Sequence, residues 1–296
     1  MSGTVARQAD GEPWTMLGLI LWSASYLAEK GVEQGRLDAE HLLAHALGTT
    51  RLQLYLQFDR PMDAAELAAF KPLLLRRGKR EPLQYVVGRA AFRELELAVD
   101  PRVLIPRPEP EVLVDVVLEW ARGKSDLDGL DVGTGSGCIG LSLLTEGPFR
   151  RVVAIDRSTE ALAVAGANAA AAGVGERWDA RAGDLWAPLA ASERFDVIVS
   201  NPPYVAQGEA PGLQPEVRDW EPAGALFAGE RGLDVLDALV AGAGDRLRPG
   251  GLLAMEVGLG QAEGVAAGLR VVGGFAEPRI RRDLAGRPRI VLAERG

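Results

Sequence analysis

The run Asp131-Val132-Gly133-Thr134-Gly135-Ser136-Gly137 decides how this chain is read. A strand-like segment over 127–132 leads into it, and a helical pattern follows. Glycines at such a junction permit a tight turn and let the backbone approach a ligand closely. Asp156 stands 23 residues after Gly133, at the end of the next apolar run. From that position a carboxylate accepts hydrogen bonds from ribose hydroxyls. The loop alone leaves the chemistry open. Gly135-Ser136-Gly137-Cys138-Ile139-Gly140 also matches the G-x-G-x-x-G pattern, so a nicotinamide-dependent dehydrogenase is a competing reading.

Outward from the loop, the pattern alternates strand and helix. Strands are expected near 127–132, 151–156, 178–182, 195–200 and 252–257, with helices between them. Two further strands, near 275–281 and 288–293, follow without a clear helix between them. This predicts an open, mainly parallel sheet with an antiparallel ending. The fourth strand closes in Phe195-Asp196-Val197-Ile198-Val199-Ser200-Asn201-Pro202-Pro203-Tyr204. Val197 to Val199 read as a strand buried on both faces. Two consecutive prolines end it and stiffen the backbone, because proline fixes φ and donates to no ladder. The carboxyl ends of strands are where open α/β sheets place ligands. The Asn201 side chain and the Pro202 carbonyl offer two neighbouring acceptors that could grip one planar NH₂ group. Tyr204 could cover that group with its ring. Between Val205 and Leu233 lies a Pro/Gly-rich segment without periodicity, which reads as a lid or binding loop.

Towards the N-terminus, residues 1–13 read as a loose leader and 14–82 as a small all-helical domain. Leu17, Ile20, Leu21, then Leu42, Leu43, Ala46, Leu47, then Leu67, Phe70, Leu74 recur at helical spacing. Asp38 and Asp63 read as N-caps, Gly31 and Gly48 as helix stops. His41 and His45 share a helix face, but the sequence supplies no obvious third ligand, so no metal site is expected. Residues 83–105 read as a β-hairpin linker, with Tyr85-Val86-Val87 in one strand, Leu95 to Val99 in the other and a turn near Arg93-Glu94. A proline-stiffened loop, Leu104 to Glu111, opens a helix to about Arg122, and 106–296 form the main domain.

Composition narrows the class further. The chain has 296 residues, 47% of them hydrophobic and 25% charged, as in ordinary soluble domains. Its single cysteine, Cys138, rules out an internal disulfide and fits a reducing compartment, so a cytoplasmic location is expected. Arg7, Asp10 and Glu12 interrupt any apolar core of a signal sequence. No apolar stretch approaches the ~20 residues that span a bilayer. Net charge is −8, with residues 1–90 at +1 and the remainder at −9. An acidic body is a poor partner for nucleic-acid phosphates. The one basic cluster, Arg76, Arg77, Lys79 and Arg80, reads either as a solvated helix end or as a docking surface for an acidic partner.

Two features take the reading past the dehydrogenase. The glycines begin two residues after Asp131, and Gly183-Asp184-Leu185 follows the third strand. The series Asp131, glycine loop, Asp156, Asp184 resembles the cofactor site of class I, Rossmann-like methyltransferases dependent on S-adenosylmethionine. Added to Asn201-Pro202-Pro203-Tyr204 are Asp38-Ala39-Glu40-His41-Leu42-Leu43, Pro82-Leu83-Gln84-Tyr85-Val86-Val87-Gly88 and Leu104-Ile105-Pro106-Arg107-Pro108-Glu109. Pro215-Glu216-Val217-Arg218, Glu221-Pro222 and Asp283-Leu284-Ala285-Gly286-Arg287 complete the set. Together, from about residue 14 onward, they resemble the HemK/PrmC family, glutamine methyltransferases of peptide chain release factors. Two positions depart from the family pattern: Pro110 where Thr is usual, and Trp220 where Phe is usual.

The resemblance implies methyl transfer to the glutamine of a Gly-Gly-Gln motif in class I release factors, modulating translation termination. It implies S-adenosyl-L-methionine as cofactor, S-adenosyl-L-homocysteine as product, and no metal. Gly133, Thr134, Gly135, Ser136, Gly137, Asp156, Asp184, Leu185 and Asn201 would bind the cofactor. Asn201, Pro202, Pro203 and Tyr204 would bind the substrate amide, with Asn201, Pro202 and Tyr204 catalytic. The expected protein acts as a monomer on release factors, without direct contact to nucleic acid or membrane. The alternatives are a ribosomal-protein glutamine methyltransferase and, more remotely, an amino-group methyltransferase of nucleic acid.

Overall fold

A computed structural model describes residues 13–296 and divides them into two compact units. The leader expected over 1–13 therefore lies, apart from Pro13, outside the described residues. One unit runs to Gly88 and takes in Pro215–Trp220; the other comprises Arg89–Gln214 and Glu221–Gly296.

The first unit is helical: α1 (Met16–Glu29), α2 (Gly35–Ala46), α3 (Arg51–Tyr55), α4 (Ala64–Gly78) and α5 (Leu83–Val87). Its core holds Ile20, Leu27, Leu42, Leu43, Leu54 and Phe70, the apolar faces whose spacing marks these helices in the sequence. Asp63 caps α4 in a reciprocal box with Glu66, and Gly31 and Gly48 adopt the left-handed backbone that stops a helix. Asp38 departs from its expected role. It sits buried inside α2, where its carboxylate accepts a hydrogen bond from Arg77 Nε at 2.7 Å, while Gln34 stands at the N-cap.

The same contact changes the meaning of the basic cluster. Arg76 pairs with Glu81, and Arg77 and Arg80 both donate to Glu216, at 2.9 and 2.7 Å. Three of its four cations are thus committed to carboxylates of their own unit rather than displayed to a partner. Residues 83–87 are the second departure. They form a helix, not a strand, because Pro82 stands at its N-cap and Gly88, at φ 75°, ends it.

In the second unit, β1 (Arg89–Phe92) and β2 (Leu95–Ala98) make an antiparallel hairpin. The remaining strands are β3 (Leu127–Val132), β4 (Phe149–Asp156), β5 (Trp178–Ala182), β6 (Phe195–Ser200), β7 (Leu247–Glu256), β8 (Arg279–Arg282) and β9 (Pro288–Glu294). They form one sheet in the order β5-β4-β3-β6-β7-β9-β8. The first five are parallel, whereas β9 runs antiparallel to β7 and β8 antiparallel to β9.

The α-helices of the unit are α6 (Glu109–Trp120), α7 (Cys138–Glu146), α8 (Thr159–Ala171), α10 (Ala223–Leu226), α11 (Asp234–Ala243) and α12 (Ala262–Val272). The short α9 (Pro215–Arg218) belongs to the first unit. Successive strand residues face opposite sides, and both sides are covered. Val197, Val199 and Val152 pack with α6 and α7, while Ile198, Val153 and Leu253 pack with α11 and α12.

Pro110 falls in the first turn of α6, where a missing N–H leaves no helical bond unmade. The departure from the family pattern is therefore compatible with the helix. The segment after Tyr204 is more ordered than its lack of periodicity implies. A 3₁₀ turn over Gln207–Gly212 and the short helices α9 and α10 fill it.

Candidate active site

The parallel strands β3, β4 and β6 all deliver their carboxyl ends to one cavity in the second unit. The glycine loop between β3 and α7 is shaped by its own backbone and by two carboxylates. Gly133, Gly135 and Gly137 take φ of 74°, 55° and 86°, conformations that disfavour any side chain. Asp131 is fully enclosed. Its Oδ2 accepts from Thr134 Oγ1 at 2.7 Å and from the Gly140 N–H at 3.1 Å, tying the loop to the first turn of α7. Asp156 holds the loop from β4, accepting from the Gly135 N–H at 2.9 Å and from the Ser158 N–H at 2.9 Å.

Among the residues expected at the cofactor, Gly133, Thr134, Gly135, Ser136, Asp156, Asp184, Leu185 and Asn201 line this cavity, as do Pro202 and Pro203. No atom stands within 4 Å of where a Cβ would project from Gly133 or Gly135, so a ligand can lie against the bare backbone there. Leu185 carries φ 47°, a backbone conformation uncommon for leucine and of the kind that collects at ligand sites. The donor set fits a nucleoside with a charged tail: a carboxylate beside an exposed peptide turn, with Asp184 on the same wall.

Two expected residues are placed elsewhere. Gly137 does not line the cavity; a Cβ there would stand 3.0 Å from Leu141 and 3.3 Å from Ala165, so its bareness lets α7 and α8 close on each other. Tyr204 is also outside the lining. Its hydroxyl hydrogen-bonds Glu256 Oε1 at 3.1 Å and accepts from Arg289 Nη2 at 2.9 Å, behind the wall. Burial pushes this phenol up to about 12, with the Glu256 carboxylate adding to the effect, so it stays protonated at neutral pH. The hydroxyl end of Tyr204 is thus turned to Glu256 and Arg289, a contact that the reading from sequence did not include.

The cavity has walls that the motif assignment omitted. Leu104, Ile105, Arg107 and Pro110 line one side, Pro222, Gly224 and Ala225 another. Arg107 Nη2 donates to Glu221 Oε1 at 2.5 Å, joining the two sides. Burial raises the Glu221 carboxyl above its ordinary range despite the Arg107 guanidinium. The signal for these walls was present in sequence as two proline-rich segments, but nothing local pairs residue 107 with residue 221.

Asp131 makes one prediction. Burial raises its carboxyl to about 6 in the fold, against 3.8 for an ordinary aspartate, and the Thr134 and Gly140 donors only partly oppose this. A raised pKa means the neutral form is favoured by folding, so its stabilisation is complete below pH ~4 and lost as pH rises through about 6. Asp131→Asn removes that titration. The melting temperature of the variant relative to the parent should therefore rise between pH 4 and pH 7.5. A pH-independent difference between the two would refute the assignment.

Comparison with known proteins places these features in context. Residues 19–88 match the family described as PrmC N-terminal domain, and residues 112–213 match the methyltransferase small domain. A release factor glutamine methyltransferase of Geobacter sulfurreducens is 44% identical over 284 residues, covering 95% of this chain and 96% of that protein. The protein of the same name from Rhodopirellula baltica is 37% identical over 296 residues, covering 98% and 100%. Among solved structures, a methyltransferase from Pyrococcus furiosus superposes with a TM-score of 0.53 at 18% identity. That alignment covers 70% of this chain and 91% of the other, a likeness of fold.

Proposed function

The chain belongs to the release factor glutamine methyltransferases, and from that premise we propose how its cavity performs the reaction. It transfers a methyl group from S-adenosylmethionine to the side-chain amide nitrogen of a release factor glutamine. The observation that carries the site assignment is that Asn201 and Pro202 line the same cavity as the glycine loop and Asp156. Cofactor pocket and amide acceptors are thus continuous, as direct transfer requires.

Asp156 receives the ribose hydroxyls with the lone pairs left over from the Gly135 and Ser158 N–H groups. The Gly133–Gly135 backbone lines the methionine end, and Asp184 and Leu185 the adenine end. When bound, S-adenosylmethionine supplies a methyl group already activated by its sulfonium, so we take the transfer to need no metal. The residues' task is to prepare the nitrogen. An amide nitrogen is a weak nucleophile because its lone pair is delocalised. Asn201 Oδ1 and the Pro202 carbonyl accept hydrogen bonds from its two N–H groups, orient it and favour positive charge developing on it; the nitrogen, once methylated, gives up one proton to solvent. Tyr204, its phenol neutral and hydrogen-bonded to Glu256, is no general base.

We take the acceptor to be the glutamine of the Gly-Gly-Gln motif of class I release factors, bound by a monomer. The test is incubation with labelled S-adenosylmethionine and purified release factor, followed by peptide mass analysis. Label on that glutamine is expected. Label confined to a ribosomal protein or to nucleic acid offered in parallel would overturn the substrate assignment.

A further inference from the structure

The segment that carries the two amide acceptors has an anchoring problem. Pro202 and Pro203 have no N–H, so the backbone between Asn201 and Tyr204 cannot be held by its own donors there. It has to be fixed from its ends. Upstream, β6 does this: Ser200 pairs with Met255 in the sheet, and its hydroxyl donates to the Val132 carbonyl at 2.6 Å. Downstream, the Val205 backbone pairs with Leu226 and Ala228, at 2.9 and 3.0 Å, and the side chain that is held is that of Tyr204.

Three side chains grip Tyr204, and all belong to the antiparallel end of the sheet or the turn beside it. Arg289 Nη2 donates to the phenol oxygen at 2.9 Å and to Glu256 Oε1 at 3.1 Å, while the phenol and Glu256 Oε1 are 3.1 Å apart. The three groups close a ring. The Arg289 guanidinium carbon lies 5.0 Å from the centre of the tyrosine ring. Gln261 takes the other end of the residue. Its Nε2 donates to the Tyr204 carbonyl at 3.0 Å and to the Gly232 carbonyl at 3.2 Å, and its Oε1 accepts from the Gly258 N–H at 2.7 Å.

This arrangement is expensive for stability alone. Glu256 is 2% exposed, and among the described residues its Oε2 and Arg289 Nε are buried without a hydrogen-bond partner. A buried ion pair of this kind is often no better for stability than apolar residues of similar volume. Its evident mechanical effect is to hold the phenol. The two locked proline φ angles between them limit how far Tyr204 can shift without carrying the Pro202 carbonyl with it.

We propose that Glu256, Arg289 and Gln261 are positioning residues for the methyl acceptor: by clamping Tyr204 at its hydroxyl and its carbonyl, they set where the Asn201 side chain and the Pro202 carbonyl stand. The proposal rests on the reading of those two groups as the amide acceptors.

The experiment compares the parent protein with Tyr204→Phe, Glu256→Gln and the double variant. It records kcat and KM for release factor methylation, S-adenosylmethionine affinity by calorimetry, and melting temperature. Each single substitution should lower kcat by up to about 10²-fold, the scale of a reacting group misplaced by about 1 Å. KM and cofactor affinity should stay near the parent values, as should the melting temperature of Tyr204→Phe, whereas Glu256→Gln leaves the Arg289 cation buried without its carboxylate and should also melt lower. Because both changes act through one ring of bonds, the double variant should lose little more than the worse single one. Losses that multiply in the double variant, a loss in Tyr204→Phe matched by a lower melting temperature, lower cofactor affinity in either single variant, or full kcat in both singles would each overturn the proposal. Should Glu256→Gln not fold, Arg289→Lys replaces it in the same cycle, since lysine keeps the charge and loses the two-pronged reach. Failure of the parent protein to label the release factor would instead count against the functional reading itself.

Discussion

Asn201→Ala is expected to reduce turnover on the release factor by on the order of 10²-fold, while cofactor affinity changes little. Asn201 closes the C-terminal end of β6, and its side chain belongs to the cavity that Asp156 and the glycine loop also line. On the proposed mechanism the substitution removes one of two acceptors for the substrate amide and leaves the Pro202 carbonyl in place. An amide held by one hydrogen is free to rotate, so the nitrogen spends less time aligned with the methyl donor, and charge developing on it loses a favourable dipole. The contacts proposed for the cofactor, at Asp156 and the glycine backbone, remain. Single-turnover rates with saturating cofactor, set beside calorimetric affinities, separate the two effects. A variant that methylates at the parental rate would remove Asn201 from the mechanism. A variant that merely binds cofactor more weakly would reassign it to the cofactor pocket.

Much of this site is legible because its parts are contiguous in sequence. Gly133, Gly135 and Gly137 need a positive φ, Asp156 ends a strand, and Asn201-Pro202-Pro203 ends another, so local chemistry announces each of them. The strands β3, β5 and β6 fall where their apolar runs place them, at 127–132, 178–182 and 195–200. What stays hidden depends on distant pairing. Arg107 meets Glu221 across 114 residues, and Arg289 meets Tyr204 across 85. No spacing rule reaches that far. The antiparallel pairing of β7 with β9, which sets Glu256 opposite Ile290 and so beside Arg289, creates the second contact.

The misread helix has a different cause. Leu83-Gln84-Tyr85-Val86-Val87 is rich in β-formers, but Pro82 and Gly88 are start and stop signals for a helix, and the punctuation outweighs the propensity. The Arg76–Arg80 cluster shows a third kind of limit. Charge counts reveal cations, but not Glu81, Asp38 and Glu216, which the fold brings to them.

Asp156→Ala should weaken S-adenosylmethionine binding by roughly 1–3 kcal/mol, the usual cost of leaving buried polar groups without partners. The structure gives the carboxylate one task, and the proposed function adds the ribose contact as a second. Oδ2 accepts from the Gly135 N–H and Oδ1 from the Ser158 N–H, each at 2.9 Å, so Asp156 shapes the glycine loop before any ligand arrives. A carboxylate has about four acceptor positions, which leaves two for ribose hydroxyls in the cavity that Asp156 lines. Alanine abolishes both tasks at once, and the comparison with Asp156→Asn separates them. Asparagine keeps one acceptor oxygen but sets an NH₂ against one of the two backbone donors. It should therefore disturb the loop while retaining part of the ribose contact. The expected order of cofactor affinity by calorimetry is parent, then Asn, then Ala, with KM for release factor at saturating cofactor little changed. An unaltered affinity in the alanine variant would show that the ribose is held elsewhere. Equal losses in both variants would mean that the loop tie, rather than the hydroxyl contact, is what Asp156 contributes.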